Sequence, residues 1–465
     1  MPARPVTVLA LLGLAALCAP EARAQAQAQP ALQPPAQTRA GFAQRADALV
    51  KPYLDAKLFS GAVLVAHRGR PVFRRAYGLA NREWGVPNTP ETRFRVGSIT
   101  KQFTAAAILK LAEAGRLNLD DPIRRFYPQA PAAWERVTLR TLLTHSSGIP
   151  SYTNLPDYYA RIQRLEMTPR EIVALTADKP LLFEPGKGFD YDNTGYILLG
   201  LVVEAASGQP YDRYLREAIF DPLGLKDTGY DDATAILPRR ASGYRLGNGQ
   251  LRNAMPIASS IPYAAGAHYS TVDDLLAWDR ALFSGRVLSD LSRRAMFADA
   301  GYGYGFGWYI GQSHGHRLWS HGGGINGFLT IKDTYPDDEL TVLVLANTET
   351  APVQAMAREI AALWFRIPDP GTEIVLEPEI MDRYAGRYRL APGRLLTLAR
   401  EGDHLVAQIT GEAALPFLPE GDRTFVSKAR NARITLDTEP DGRPTGLMLY
   451  RDGTDRAAPR IEVTQ

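Results

Sequence analysis

The chain has 465 residues, more than one hydrophobic core usually serves, so length alone predicts two domains or one large domain with an appendage. Lys and Arg total 53 against 50 for Asp and Glu, and a formal net charge of +3 over that length makes no field that would gather nucleic acid or anionic lipid. Both kinds of partner are excluded on that ground.

At the N-terminus, Arg4, the apolar run Val6 to Leu17 and the small residues of Ala22-Arg23-Ala24 read as an export signal over residues 1–24, cleaved after Ala24. The expected location is periplasmic or secreted. The run is short for a bilayer, and no later stretch approaches the roughly 20 apolar residues that a spanning helix needs. Cys18 is the only cysteine, so the exported chain has neither a disulfide nor a thiolate metal site. Bulky Leu17 opposes a lipid-anchored reading of that cysteine. Residues 25–39, rich in Ala, Gln and Pro, have the composition of a spacer.

From residue 40 the patterns become those of a folded domain. Phe42 to Leu58 carries helical spacing, and Gly61 to Tyr77 reads as two strands about the turn Arg68-Gly69-Arg70. A helix is predicted from Ser98 to Gly115, followed by helices at Pro169 to Ala177, Asn193 to Ser207, Tyr211 to Ile219 and Thr271 to Phe283. Strands are predicted at Tyr302 to Ile310, His316 to Ser320, Gly327 to Thr334 and Leu340 to Ala346, then a helix from Val353 to Phe365. A Pro-bearing connector, residues 368–378, closes the domain spanning 40–367. Beyond it, over 379–465, only short strands are expected, at Gly386 to Leu390, Leu395 to Arg400, His404 to Ile409, Thr424 to Ser427, Ala432 to Asp437 and Gly446 to Tyr450. Turns such as Asp441-Gly442 and Asp452-Gly453 separate them, which suggests a small barrel or sandwich.

Three groups of residues carry chemistry. Ser98-Ile99-Thr100-Lys101 stands where a loop enters an apolar helix, and residues three apart on a helix share a face, so the amine can reach the hydroxyl. A serine needs a base to remove its proton, and lysine is one only when neutral, which demands a pKa about 2 to 3 units below normal. Tyr191-Asp192-Asn193 offers a phenol to relay protons and an amide to orient Lys101 or bind substrate. Tyr152-Thr153-Asn154 has the same spacing and is set aside because its flanks are less suggestive. In Trp319-Ser320-His321-Gly322-Gly323-Gly324, glycines at the end of a strand allow a substrate to lie along the sheet edge, with one N–H facing an oxyanion. His321 is expected to meet a substrate carboxylate or support the proton relay.

Together with Leu142-Leu143-Thr144-His145-Ser146-Ser147-Gly148-Ile149-Pro150, Pro185-Gly186 and Pro222-Leu223-Gly224-Leu225, these blocks resemble the serine β-lactamase and penicillin-binding-protein superfamily over about residues 45 to 365. The likeness is to the branch holding class C β-lactamases, D-Ala-D-Ala carboxypeptidases, D-aminopeptidases and esterases. Tyr384-Ala385-Gly386-Arg387-Tyr388 resembles the start of the small β-barrel that some of these hydrolases append.

The resemblance implies an α/β (α+β) fold, an antiparallel sheet flanked by helices with a helical subdomain. It implies Ser98 as acylated nucleophile, Lys101 as base, Tyr191 as second proton carrier and Asn193 as amide ligand. The N–H groups of Ser98 and Gly324 would form the oxyanion hole, with Gly323 beside it and His321 in a binding role. His321 stands where β-lactamases usually have lysine, so a D-amino-acid peptide or short ester is the expected small-molecule substrate, ahead of a β-lactam. Asp192 replaces the more usual serine and is expected to disfavour substrates with a free carboxylate. A sensor that binds without turnover is the rival from another class.

Gly311-Gln312-Ser313-His314-Gly315 matches a hydrolase elbow, but both flanks read as strands and a hairpin turn is the expectation. His145 is expected outside the site, bonded to backbone. The sequence has no zinc-spaced histidine pair and no phosphate-cradling glycine loop, so no cofactor and no metal are expected. For the last domain three tasks are open at this point: covering the cleft, binding a cell-wall polymer, or stabilising the chain.

Overall fold

The computed structural model describes residues 37–461 apart from 248–249, 366–375, 392, 413, 420–421, 428–431, 440 and 452–453. The export signal with Cys18, nearly all of the spacer, most of the connector and the Asp452-Gly453 turn lie outside the described residues.

Gly61–His67 (GAVLVAH) and Leu340–Ala346 (LTVLVLA) have almost no polar side chain, and both are buried along nearly their whole length. Such strands belong in the middle of a sheet covered on both faces. They pair with each other at the centre of a six-stranded antiparallel sheet, whose order is Tyr309–Ser313, His316–Ile325, Phe328–Tyr335, Leu340–Ala346, Gly61–His67, Arg70–Tyr77. Strand alternation sends Leu64, Leu343 and Leu345 into one core and Val63, Val65, Val342 and Val344 into the other. Helices Gln37–Asp55 and Val353–Phe365 cover the second face through Phe42, Ala46, Met356 and Ile360.

Helix Thr100–Glu113 is different, because every residue from Thr100 to Leu109 is buried. A helix enclosed on all sides lies between layers. It packs against the Asn193–Ser207 helix and the short Tyr263–Gly266 turn of the helical layer, so anything polar near its start is desolvated.

The sequence reading holds for the hairpin, the central strands and most helices, with instructive departures. Ser98 sits in a 3-10 turn, Gly97–Ile99, just before the helix proper. The predicted strand from Tyr302 begins only at Tyr309, since Gly303 (φ 69) and Gly307 (φ 76) break extension and fold the preceding loop inward. The next strand runs past Ser320 to Ile325, through all three glycines. The predicted helix from Tyr211 is α-helical only to Leu215 and continues as a π-turn, Arg216–Phe220.

After the connector, a helix at Pro378–Tyr384 precedes the strands, where only strands were expected. Eight strands, not six, close into a barrel, the first and last pairing at Tyr388 and Arg460. The two additional strands, Leu415–Pro419 and Thr454–Ile461, contain prolines that weakened their pattern. Among the described residues no helix is long and apolar enough to cross a membrane.

Strand Phe328–Tyr335 carries two buried ionisable residues, Lys332 and Asp333, that its apolar setting did not foretell. Lys332 is ion-paired with Asp279, lies 3.8 Å from the Trp308 ring centroid and donates to Gln102 Oε1 at 3.3 Å. Thr334 and Thr341 hydroxyls donate to the same aspartate at 3.1 and 3.3 Å. Removing one partner leaves the other charge stranded, so Asp279→Ala should cost about 3–5 kcal/mol in urea unfolding, and Lys332→Met in the same chain should recover much of it.

Candidate active site

The site is built where the 3-10 turn meets the glycine strand. Gly97 has φ 53, and a Cβ there would stand 2.9 Å from Gly324 N, so only glycine allows this approach. A Cβ on Gly323 would lie 1.9 Å from Val96 O, and the Thr330 hydroxyl donates to both Val96 O (3.1 Å) and Gly323 O (3.3 Å). The turn bearing Ser98 is thereby clamped against the sheet edge. On that edge the neighbouring strand pairs only as far as Ser320, and among the described residues His321 to Ile325 have no strand partner on that side.

Lys101 Nζ lies 3.1 Å from Ser98 Oγ, 2.8 Å from Asn193 Oδ1 and 2.9 Å from Ala265 O. It is buried beneath the rings of Tyr191 (4.8 Å) and Tyr196 (5.3 Å). Burial lowers its pKa to about 7, opposed by the negative charge of Asp192. A neutral amine has two N–H groups and one lone pair. With the N–H groups given to the two carbonyl oxygens, the lone pair is left to face the Ser98 hydroxyl.

Tyr191 completes the group. Burial raises its phenol pKa well above the ordinary value, while the Ser98 side chain pulls it back down. Asn193, first residue of its helix, donates from Nδ2 to Thr153 Oγ1 (3.1 Å) and from its backbone N–H to Ser151 Oγ (3.1 Å). The rejected Tyr152-Thr153-Asn154 segment therefore supports the chosen one, and the Tyr152 hydroxyl is itself buried, donating to Ile261 O at 2.8 Å.

Asp192 does not face substrate. It is buried and caps the Asn193–Ser207 helix, accepting from Gly195 N at 2.9 Å, and desolvation pushes its pKa up to about 7. The expected conflict with anionic substrates has no geometric basis. Asp192→Ser keeps a capping oxygen, and it should alter the preference between neutral and anionic esters by less than about twofold in paired turnover assays.

His321 also departs from expectation. Its Nδ1 donates to Gly322 O at 2.6 Å, which leaves Nε2 to accept from Tyr304 Oη at 2.9 Å. Both nitrogens are spent, and burial lowers its pKa to about 3, so it is a neutral support rather than a cation for a carboxylate. Tyr304 was missed because its segment read as a strand. His145 is bonded to backbone as expected, its Nδ1 accepting from Asp192 N at 3.0 Å, yet its ring packs 4.3 Å from that of Tyr191 and forms the rear wall of the site. Ser313 pairs with His316 beside the tight turn His314-Gly315 (φ 55 and 79), a hairpin and not a nucleophile elbow.

The beta-lactamase family profile matches residues 46–363. The chain belongs to this family. Penicillin-binding protein 4* of Bacillus subtilis (strain 168) is 28% identical over 436 residues, covering 87% of this chain and 95% of the relative. Esterase EstB of Burkholderia gladioli is 32% identical over 316 residues, or 58% of this chain and 79% of the esterase. A solved D-stereospecific amidohydrolase from Streptomyces sp. is 30% identical, with a TM-score of 0.58 over 69% of this chain and 97% of that one. Family and neighbours make this protein a serine hydrolase.

Within this family fold the clamp at Gly323 makes a local test. Gly323→Ala should leave the protein folded but reduce kcat/KM at least about tenfold by displacing the Ser98 turn, whereas Gly322→Ala, whose Cβ would meet nothing closer than 3.4 Å, should be tolerated.

Proposed function

We propose that the protein is an exported hydrolase that forms an acyl-enzyme on Ser98 and acts on D-amino-acid amides and peptides or on short esters. The observation that carries this reading is the buried Lys101 amine 3.1 Å from the Ser98 hydroxyl, with a pKa lowered to about 7. Ser98 Oγ attacks the carbonyl carbon while its proton passes to Lys101, and the N–H groups of Ser98 and Gly324 hold the oxyanion. Tyr191 carries a proton to the departing amine or alcohol. Asn193 keeps Lys101 in place and offers its amide to the substrate. Water then attacks the acyl-enzyme by the reverse proton route and frees Ser98.

The substrate class follows from the site's charge. His321 is neutral and occupied on both nitrogens, so it offers no cation to a free carboxylate. This favours amides and esters uncharged next to the scissile bond, and it agrees with neighbours described as an esterase and a D-stereospecific amidohydrolase. Export rests on the Arg4, Val6 to Leu17 and Ala22-Arg23-Ala24 pattern alone. We treat residues 40–367 as the hydrolase domain, 368–378 as linker and 379–465 as an appended barrel, where any contact with wall polymer would be made.

The test is a turnover panel of a D-amino-acid amide, a short activated ester and a β-lactam. Ser98→Ala and Lys101→Met should each lower kcat/KM at least about 10³-fold on the first two substrates. With an uncharged ester, kcat/KM should rise with pH through about 7 and then level, because only the deprotonated Lys101 accepts the serine proton. A flat profile there would remove Lys101 as base. A lasting penicillin adduct on Ser98 in mass spectrometry, with no turnover of any panel member, would replace the enzyme by a sensor.

A further inference from the structure

The turn Tyr263–Gly266 has two sides. On one, Ala265 O accepts from Lys101 Nζ at 2.9 Å and Ala264 O accepts from the Thr104 hydroxyl at 2.7 Å. On the other lies a cavity of about 530 Å³, within the range of roughly 300–1,000 Å³ that small molecules occupy. None of its lining residues belongs to the group around Ser98.

Its walls are aromatic and charged. Tyr230, Tyr263 and Tyr269 supply ring surface, with Glu204, Asp212, Asp232 and Arg216 at the lining. Tyr263 is only 7% exposed, and its hydroxyl has no partner in hydrogen-bond geometry, although the Glu204 carboxylate faces it. The residue is also held in an uncommon backbone state, φ 34. Gly200 makes room for it, since a Cβ there would stand 2.4 Å from Tyr263 Cε1. Arg216 and Asp212 form no ion pair among the described residues, though they lie four apart on one helical stretch.

We propose that this cavity is a second small-molecule site for a basic amino acid, with ammonium groups toward Glu204, Asp212 and Asp232 and the carboxylate toward Arg216, and that its occupant acts on Lys101 through the Tyr263–Gly266 turn. Three carboxylates against one guanidinium match a ligand with two ammonium groups and one carboxylate. Tyrosine faces favour cations as well. A ligand that moves Tyr263 moves the carbonyl that holds one of the Lys101 N–H groups, so the coupling runs through a single short turn. The binding site is independent of which acyl donor Ser98 accepts.

Calorimetry with lysine on the Ser98→Ala protein tests the site, with cadaverine and acetate as probes lacking one end. Lysine should bind, and cadaverine, which has no carboxylate, at least about fivefold more weakly. Arg216→Ala and Asp212→Asn should each weaken lysine at least about fivefold while retaining the basal ester turnover of the wild type. In the wild type, saturating lysine should change the acylation rate of an activated ester, and Arg216→Ala should abolish that response. Absence of lysine binding, or equal binding to both variants, overturns the site. Binding at the cavity with an unchanged acylation rate overturns the coupling.

Discussion

The structure turns on an amine kept out of water. Lys101 lies on a helix buried from Thr100 to Leu109, under two tyrosine rings, with carbonyl oxygens for its N–H groups. In solvent it would be a cation, so every layer around it acts on its protonation by excluding water. The sheet supports the Ser98 turn from one side, while the Asn193 helix and the Tyr263–Gly266 turn supply acceptors from the other. Few arrangements meet both demands, which explains why glycines stand at 97 and 323, where a single methyl group would collide with the opposing backbone.

Burial also sets the electrical character of the site. Asp192 and His321 read from sequence as charges that substrate would meet, yet desolvation moves both toward neutrality, Asp192 Oδ2 is held by the helix cap and both His321 nitrogens are engaged by protein. Asp192 has a further effect, since its residual negative charge works against the lowering of the Lys101 pKa. The positive charge of Lys332 is answered within the fold by Asp279, one layer behind. What remains for a substrate is a hydroxyl, an amine, a phenol, an amide and a free sheet edge.

How much of this was legible depends on the range of the interaction involved. Ser98 and Lys101 lie three residues apart, and Tyr191 and Asn193 open a helix whose cap is local, so spacing alone brought each pair together. The central strands Gly61–His67 and Leu340–Ala346 were plain because burial on both faces leaves an unbroken apolar run. Tyr304 escaped notice because two left-handed glycines, 303 and 307, turn an apparent strand into a loop that inserts its ring beside His321. The barrel strands Leu415–Pro419 and Thr454–Ile461 escaped for a different reason, since their prolines blur the strand pattern.

Short-range pattern was enough to single out Ser98 and Lys101, the Tyr191-Asp192-Asn193 segment and the glycine strand as candidates, because each group is written in adjacent residues. The electrical state of those groups emerged from packing between distant segments, which desolvates Lys101, turns His321 and Asp192 inward and sets His145 against the Tyr191 ring. Protonation depends on burial and on partners brought from far along the chain, and both exist only after the layers have closed.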